Sequence, residues 1–189
     1  MHPASSISLL LMASAACLPV SAQEIDVKVD RRGDVVLVDV TARVAAPLAV
    51  AWAVLTDYEN MHHFGHGLKT SQVLRRDGNQ LEVAQSGATN WGPFTITFEL
   101  VRAVELVPHS EIHSKLIRGS FKTFESTTRL QAGAGITQVS HHGEYVPSRW
   151  LPPMVGPSVI ADETRKQYQA LMAEVLRRAA AQKEAPARP

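Results

Sequence analysis

Three histidines lie close together in the first half of the chain, with a spacing that could support metal chemistry. On a helix, His62 and His66 would lie one turn apart, with His63 beside them, and histidines at this spacing can chelate zinc. Gly65, however, indicates that a helix ends before His66, and the only cysteine, Cys17, is distant in the sequence. We therefore interpret the three as solvated loop histidines and predict no metal site and no cofactor.

Two further histidines, His141 and His142, are adjacent in a stretch that alternates between polar and apolar residues like a strand. Neighbouring side chains of a strand point to opposite faces of the sheet. If His141 faces inward, it does so together with Val139 and Tyr145. An inward histidine beside a tyrosine could polarise a carbonyl or quinone oxygen, and a buried histidine with a hydrogen-bonded partner is the alternative.

Arg118 shares strand parity with Ile112 and Leu116, which predicts that it faces the same interior. An inward arginine needs a carboxylate or a polar ligand head as its partner. Glu125 could supply that carboxylate if it shares the face, so an internal ion pair and a ligand contact both stay open. The candidate catalytic residues are His141, Tyr145 and Arg118.

Apolar residues in loops or at the ends of elements are candidates for a portal, because exposed apolar groups cost solubility unless they pack or bind. Phe64, Trp91, Trp150 and Met154 are of this kind, and a portal built from them could touch a membrane transiently. Trp150 and Met154 could instead only staple the next helix onto the sheet. The predicted ligand-binding residues are Phe64, Trp91, Phe98, Leu116, Trp150, Met154, Ile160, Thr164 and Tyr168.

The elements that must position these residues are a run of strands and one long helix. Residues 158–180 carry an apolar stripe at helical spacing, in which we expect Leu171 and Val175 to seal the core. Strand-like alternation covers 35–44 and six runs between 68 and 146, with a weaker leader strand before them. Two short helices follow the first full strand, over 48–55 and 57–64, and Asp57 is the predicted cap of the second. This order predicts an α+β fold: a curved antiparallel sheet of about seven strands around a long C-terminal helix, with room for a ligand between them.

The two ends of the chain are predicted to lie outside the domain. Residues 1–22 have a short apolar run and small residues before Gln23, which is typical of a signal peptide, and Cys17 leaves a lipoprotein as the alternative. We therefore predict export to the periplasm, one domain over 23–181, and a disordered tail over 182–189. The chain has 19 Lys and Arg against 18 Asp and Glu, which argues against a nucleic-acid surface.

Four stretches of the sequence resemble one protein superfamily. They are Ala46-Pro47 with the run over 51–61, Gly67-Leu68-Lys69, Gly92-Pro93-Phe94, and Gly156-Pro157 followed by Glu163-Thr164-Arg165. These stretches are similar to the START-like or Bet v 1-like (SRPBCC) superfamily, and the closest branch looks like the polyketide cyclase/dehydrase and coenzyme Q-binding group. The resemblance implies a helix-grip cavity for an apolar ligand such as a lipid, an isoprenoid quinone or a polyketide.

Three functions follow as hypotheses. The leading one is a periplasmic binding or carrier protein for an apolar small molecule or lipid. The second is an enzyme of the cyclase/dehydrase type, which needs at least two titratable groups that converge in the cavity. The third is a non-catalytic partner protein that uses the loop over 150–155 as its interface.

Overall fold

The computed structural model describes residues 23–91, 94–148 and 156–184, in which a long helix lies against a curved antiparallel sheet. The helices are α1 (Leu48–Leu55) and α2 (Pro157–Glu184), with a 3-10 helix at Met61–His63. The strands are β1 (Gln23–Arg32), β2 (Val35–Val44), β3 (Leu68–Asp77), β4 (Gln80–Trp91), β5 (Phe94–Val107), β6 (Glu111–Gly119), β7 (Phe121–Ala132) and β8 (Thr137–Pro147). The predicted α+β helix-grip fold is confirmed.

The sheet has eight strands in the order β1-β2-β8-β7-β6-β5-β4-β3. The prediction of about seven was one short because the leader strand is a full member of the sheet. It pairs with β2 over its whole length, from Gln23 opposite Val44 to Arg32 opposite Val35. Its alternate residues Ile25, Val27 and Val29 join the core, and α2 packs on it more extensively than on any other strand.

The core lies between the two α-helices and one face of the sheet, and the strands that α2 contacts most are the first two. On β2, every second residue from Val36 to Val44 is buried, as strand periodicity requires for one covered face. On α2, the buried residues Leu171, Met172, Val175 and Ala179 recur at helical spacing on the facing side. The predicted core positions of Leu171 and Val175 are confirmed, and burying each such side chain contributes about 1.5–3 kcal/mol.

The short helices differ in how well they form. The helix α1 begins after Pro47, which is extended, and ends at Thr56, whose hydroxyl donates to the Trp52 carbonyl at 2.8 Å. The second predicted helix, from Asp57 to Phe64, is only the 3-10 turn. Asp57 does not cap it, because the residue that precedes the turn is Asn60, and the Asp57 carboxylate accepts from Asn60 and from Arg178.

The helix α2 is longer than predicted. It continues to Glu184, so residues 182–184 of the predicted tail are helical, and residues 185–189 lie outside the described residues. No helix in the described ranges is long and apolar enough to span a membrane.

A charged clamp fastens the C-terminal half of α2 to the segment after α1. Glu174, which is only 9% exposed, accepts from Arg177 Nε and from Arg178 Nε, both at 2.6 Å. Arg178 also donates to Asp57 at 2.7 Å, and its guanidinium lies 5.3 Å from the Phe64 ring centroid. The bond from Arg177, followed by that from Arg178, outweighs burial and lowers the pKa of Glu174 to about 2.

We expect Glu174→Gln to lower the free energy of unfolding by about 1 kcal/mol at pH 7, because it removes a nearly buried carboxylate while solvent screens part of the pair. The folded pKa lies below the unfolded value of 4.5, so this contribution is present above pH 4.5 and is lost as the pH falls towards 2. Urea denaturation at pH 7 and pH 2.5 measures the difference, which should shrink at the lower pH.

The control for this variant is Asp162→Asn, because the Asp162–Arg165 pair on the same helix is exposed. We expect it to change stability by less than about 0.5 kcal/mol. An equal loss for Glu174→Gln at both pH values would contradict the assigned role of the carboxylate.

Candidate functional site

The candidate site lies on the inner face of the sheet, defined as the face that carries the buried alternate residues of β2. Cross-strand pairing extends this face from Val40 through His141 and Thr128 to Ile112. A second row of the inner face, beyond the row of Val104 and Ser114, runs from Leu116 through Arg102 to Val83. Because paired residues of adjacent strands share a face, side chains from β4 to β8 converge over one area.

Four polar side chains, which we call the interior polar cluster, stand on this face and on α2: Arg102, Thr128, His141 and Tyr168. The Oγ1 of Thr128 and the Nδ1 of His141 are hydrogen-bonded at 2.8 Å. Tyr168 of α2 is hydrogen-bonded to Thr128 through its side chain, and its ring centroid lies 5.9 Å from that of His141. Three elements therefore meet in one hydrogen-bonded chain.

Arg102 supplies the charge of the cluster. Its Nε is buried and makes no hydrogen bond, and its guanidinium carbon lies 5.4 Å from the ring centroid of buried Tyr58. No carboxylate of the described residues forms a salt bridge with it. A buried guanidinium donor without an acceptor is costly, so the position favours an incoming oxygen ligand.

The pKa values of the cluster show how strongly its members are desolvated. Burial, and after it the charge of Arg102, lowers the pKa of His141 to about 4, so the imidazole is neutral at pH 7. Burial raises the pKa of Tyr145 to about 12 and raises that of Tyr168 still further. His141 and Tyr145 are nevertheless only half-buried. Both side chains therefore keep some accessible surface on the inner face.

Two glycines make room for inner-face rings. A Cβ at Gly143 would meet His141 Nε2 at 3.0 Å, and a Cβ at Gly87 would meet Phe98 Cζ at 2.5 Å. The His141 imidazole and the Phe98 ring therefore lie directly over the backbone of their own or the neighbouring strand. At Gly87 a Cβ would also clash with the Gly67 carbonyl oxygen, so the backbone itself excludes a side chain there.

The two strand residues predicted beside each other, His141 and Tyr145, both lie on the inner face. Tyr145 is opposite Val36 and packs edge to face against Phe121, with 5.3 Å between the ring centroids. It makes no ring contact with His141 among the described residues. The structure thus places the two on one face and in different rows, with Gly143 between them.

Arg118 does not take the inward position that strand parity predicted. The ladder between β5 and β6 shifts register, so Leu116 pairs with Arg102 while Arg118 pairs with Val101, and Ile117 is left as an extra residue. This bulge turns Arg118 to the outer face, where it is exposed, and Glu125 is also exposed. The interior arginine is Arg102, which the parity of Phe98 and Leu100 in the same strand could have identified.

The predicted ligand-binding residues are distributed over several places. Phe98 and Leu116 are half-buried on the inner face, Ile160 and Thr164 are half-buried on α2, and Tyr168 is buried in the cluster. Phe64 packs against the core beneath Arg178. The side chain of Trp91 and the whole of Trp150 and Met154 lie outside the described residues. The ligand contacts themselves stay predictions.

The three clustered histidines take two different roles. His62 and His63 form the 3-10 turn with their ring centroids 3.9 Å apart, whereas His66 Nε2 lies 3.2 Å from Glu163 Oε2 on α2. Glu163 also accepts from Thr89 of β4 and from Lys166. The loop after the 3-10 turn, β4 and the first half of α2 are thus joined through one carboxylate.

A groove of about 560 Å³ lies elsewhere, over strands β4 to β7, and its lining includes Arg75, Glu82, Glu105 and Lys115. These charges of both signs lie on the outer face and are suited to water, not to an apolar molecule. The inner face, with its desolvated polar cluster, is therefore the better candidate site.

Comparison with a known family agrees with this geometry. The family described as polyketide cyclase / dehydrase and lipid transport matches residues 44–172, which is more than half of the chain. The chain belongs to this family. The resemblance to the START-like superfamily is confirmed, and the fold of the family binds apolar small molecules or lipids. The match begins at the last residue of β2, so β1 lies outside it.

Solved structures share the fold at low sequence identity. A protein of Thermus thermophilus has a TM-score of 0.65 at 15% identity, over 76% of this chain and 99% of its own. The Zhui aromatase/cyclase of a Streptomyces species has a TM-score of 0.58 at 16% identity, over 80% of this chain and 97% of its own. A STAR-related lipid transfer protein of Xanthomonas axonopodis has a TM-score of 0.58 at 10% identity, over 82% of this chain and 99% of its own. No curated protein matches the sequence significantly.

We expect Arg102→Met to raise the pKa of His141 above 4 while leaving it below 6.5, because the electrostatic effect of the cation is removed and burial, the larger cause, stays. An NMR titration of the His141 ring protons, assigned with His141→Gln, measures this shift. The matched control is Arg118→Met, which removes the same charge from the outer face and should leave the titration unchanged. A larger shift for the control would contradict the placement of the two arginines.

Proposed function

We propose that the protein binds or carries an apolar ligand in the space between the inner face of the sheet and the first half of α2. The observation that carries the proposal is the interior polar cluster, in which the desolvated His141 and the guanidinium of Arg102 keep some accessible surface among apolar side chains. Family membership supports it, because this fold binds apolar small molecules or lipids.

Apolar contact would supply most of the affinity. Half-buried apolar side chains of the inner face, among them Ile96, Phe98, Leu116 and Phe124, present surface that a ligand could cover. Covering such surface contributes about 25 cal/mol per Å² before the costs of association are subtracted. The polar cluster would then act on the ligand's polar end and fix its orientation.

Catalysis of the cyclase/dehydrase type is the second candidate, because His141, Tyr168 and Arg102 converge in the same space. A general base works best when its pKa lies near the working pH. With a pKa of about 4, His141 is a weak base at pH 7, and the raised pKa values of Tyr145 and Tyr168 make these hydroxyls hydrogen-bond donors. These properties suit the orientation of a ligand oxygen better than repeated proton transfer.

The binding proposal is tested by two adjacent residues that lie on opposite faces of β6. We expect Leu116→Trp to weaken the binding of a neutral apolar fluorescent probe at least tenfold, because the larger ring fills the space beside Arg102. Ile117→Trp adds the same ring at an exposed outer position and should bind the probe like the parent protein. Fluorescence titration of delipidated protein measures both.

Circular dichroism would show that both variants keep the fold. Equal affinity of the parent protein and Leu116→Trp for the probe would exclude the inner space as the ligand site. Mass spectrometry of material extracted from the parent protein, purified from its own periplasm, would identify a co-purifying apolar molecule.

We also propose that residues 1–22 are removed on export to the periplasm. We expect the mature protein to begin at Gln23, since small residues precede it in the pattern of a cleavage site. Amino-terminal sequencing of the protein recovered from the periplasmic fraction measures this. Recovery of a lipid-modified protein that begins at Cys17 would establish the lipoprotein alternative, and an intact amino terminus would exclude both. Transient contact of the portal with a membrane remains part of the proposal.

A further inference from the structure

We propose that the ligand carries an anionic oxygen head, a carboxylate or a phosphate, and that Arg102 binds this head inside the fold. The inference rests on the proposed function, because it concerns the same inner space. It adds the charge and chemical class of the ligand, which fold and family leave open.

The first observation is that the interior cation has no protein counter-ion among the described residues. In strands β4 to β8, glutamates alternate with inner-face residues and therefore lie on the outer face. They are Glu82, Glu99, Glu105, Glu111, Glu125 and Glu144. On α2, Glu163 is engaged by Thr89, His66 and Lys166, and Glu174 is engaged by Arg177 and Arg178.

The second observation is that the groups around Arg102 are neutral at pH 7. Arg102 acts electrostatically on His141, Tyr168 and Tyr58. Burial lowers the pKa of the imidazole and raises the pKa of both phenols, so all three are neutral at pH 7. These neighbours do not compensate its charge, and its buried Nε has no acceptor. A partly desolvated charge is stabilised by an opposite charge, so the half-buried Arg102 offers a positive site for an anion.

The third observation is the shape of the donor set. A guanidinium presents parallel N–H groups that match two oxygens of one carboxylate or phosphate. The hydroxyls of Thr128 and Tyr168 stand in the same cluster, linked to each other by a hydrogen bond. A neutral ester or ketone oxygen could accept one of these bonds, but it would leave the charge of Arg102 unpaired.

Three ligands with similar apolar chains distinguish an anionic head from a neutral one. They are palmitate, methyl palmitate and hexadecyl phosphate. Displacement of the neutral fluorescent probe measures the affinity of each for the parent protein, Arg102→Met and Arg118→Met. We expect the parent and Arg118→Met to bind an oxyanion at least tenfold more tightly than the methyl ester. Arg102→Met should lose this preference and keep its affinity for the ester.

The outcomes distinguish this inference from the proposed function. Equal binding of palmitate, hexadecyl phosphate and the ester by the parent would overturn the anionic head and leave an apolar carrier. Binding of none of the three, together with no binding of the probe, would overturn the carrier itself. The tighter of the two oxyanions assigns the head as a carboxylate or a phosphate. If Arg102→Met does not fold, Arg102→Lys keeps the charge and should retain a preference for the oxyanions over the ester.

Discussion

The fold depends on how the apolar stripe of α2 is covered. Its second half is sealed by β1 and β2, where Met172 and Val175 are fully buried against alternating valines. Its first half, with Ile160 and Thr164, stays half-buried although it belongs to the same helix. The candidate site lies beside this less closely covered half of the helix.

The strand β1 strengthens the sealed end. The family match begins only at the end of β2, and β1 adds a full antiparallel partner outside it. Because α2 packs mainly on β1, the helix is held by apolar contact at this end and by the Glu174 clamp beside it. The first half of the helix is joined to the loop and to β4 through Glu163, a polar connection at the surface. The two ends of α2 are therefore fastened by interactions of different kinds.

The electrostatics of the interior follow from which strand residues face inward. Carboxylates of β4 to β8 stand on the outer face, whereas Arg102 stands on the inner one. This separation of charge across the sheet leaves the interior positive, whereas the outer face carries charges of both signs. The low pKa of His141 is a consequence, because a second positive charge in the same desolvated space would be unfavourable. An interior of this kind is suited to orient an oxygen atom at the end of an apolar chain.

The sequence by itself determined the helices, the strands and the family. Apolar residues recur every second position in a strand and every three to four positions in a helix, and both periods are local consequences of backbone geometry. The buried stripe of α2 follows from those periods, as does the inward side of one of the two histidines, and the pairing with Val40 shows that it is His141. The identity of the interior cation was decided only by tertiary structure. A single extra residue, Ile117, shifts the ladder between β5 and β6, turns Arg118 outward and leaves Arg102 inside. Such a bulge depends on hydrogen bonds between strands distant in the chain, and parity counted along one strand contains no information about them.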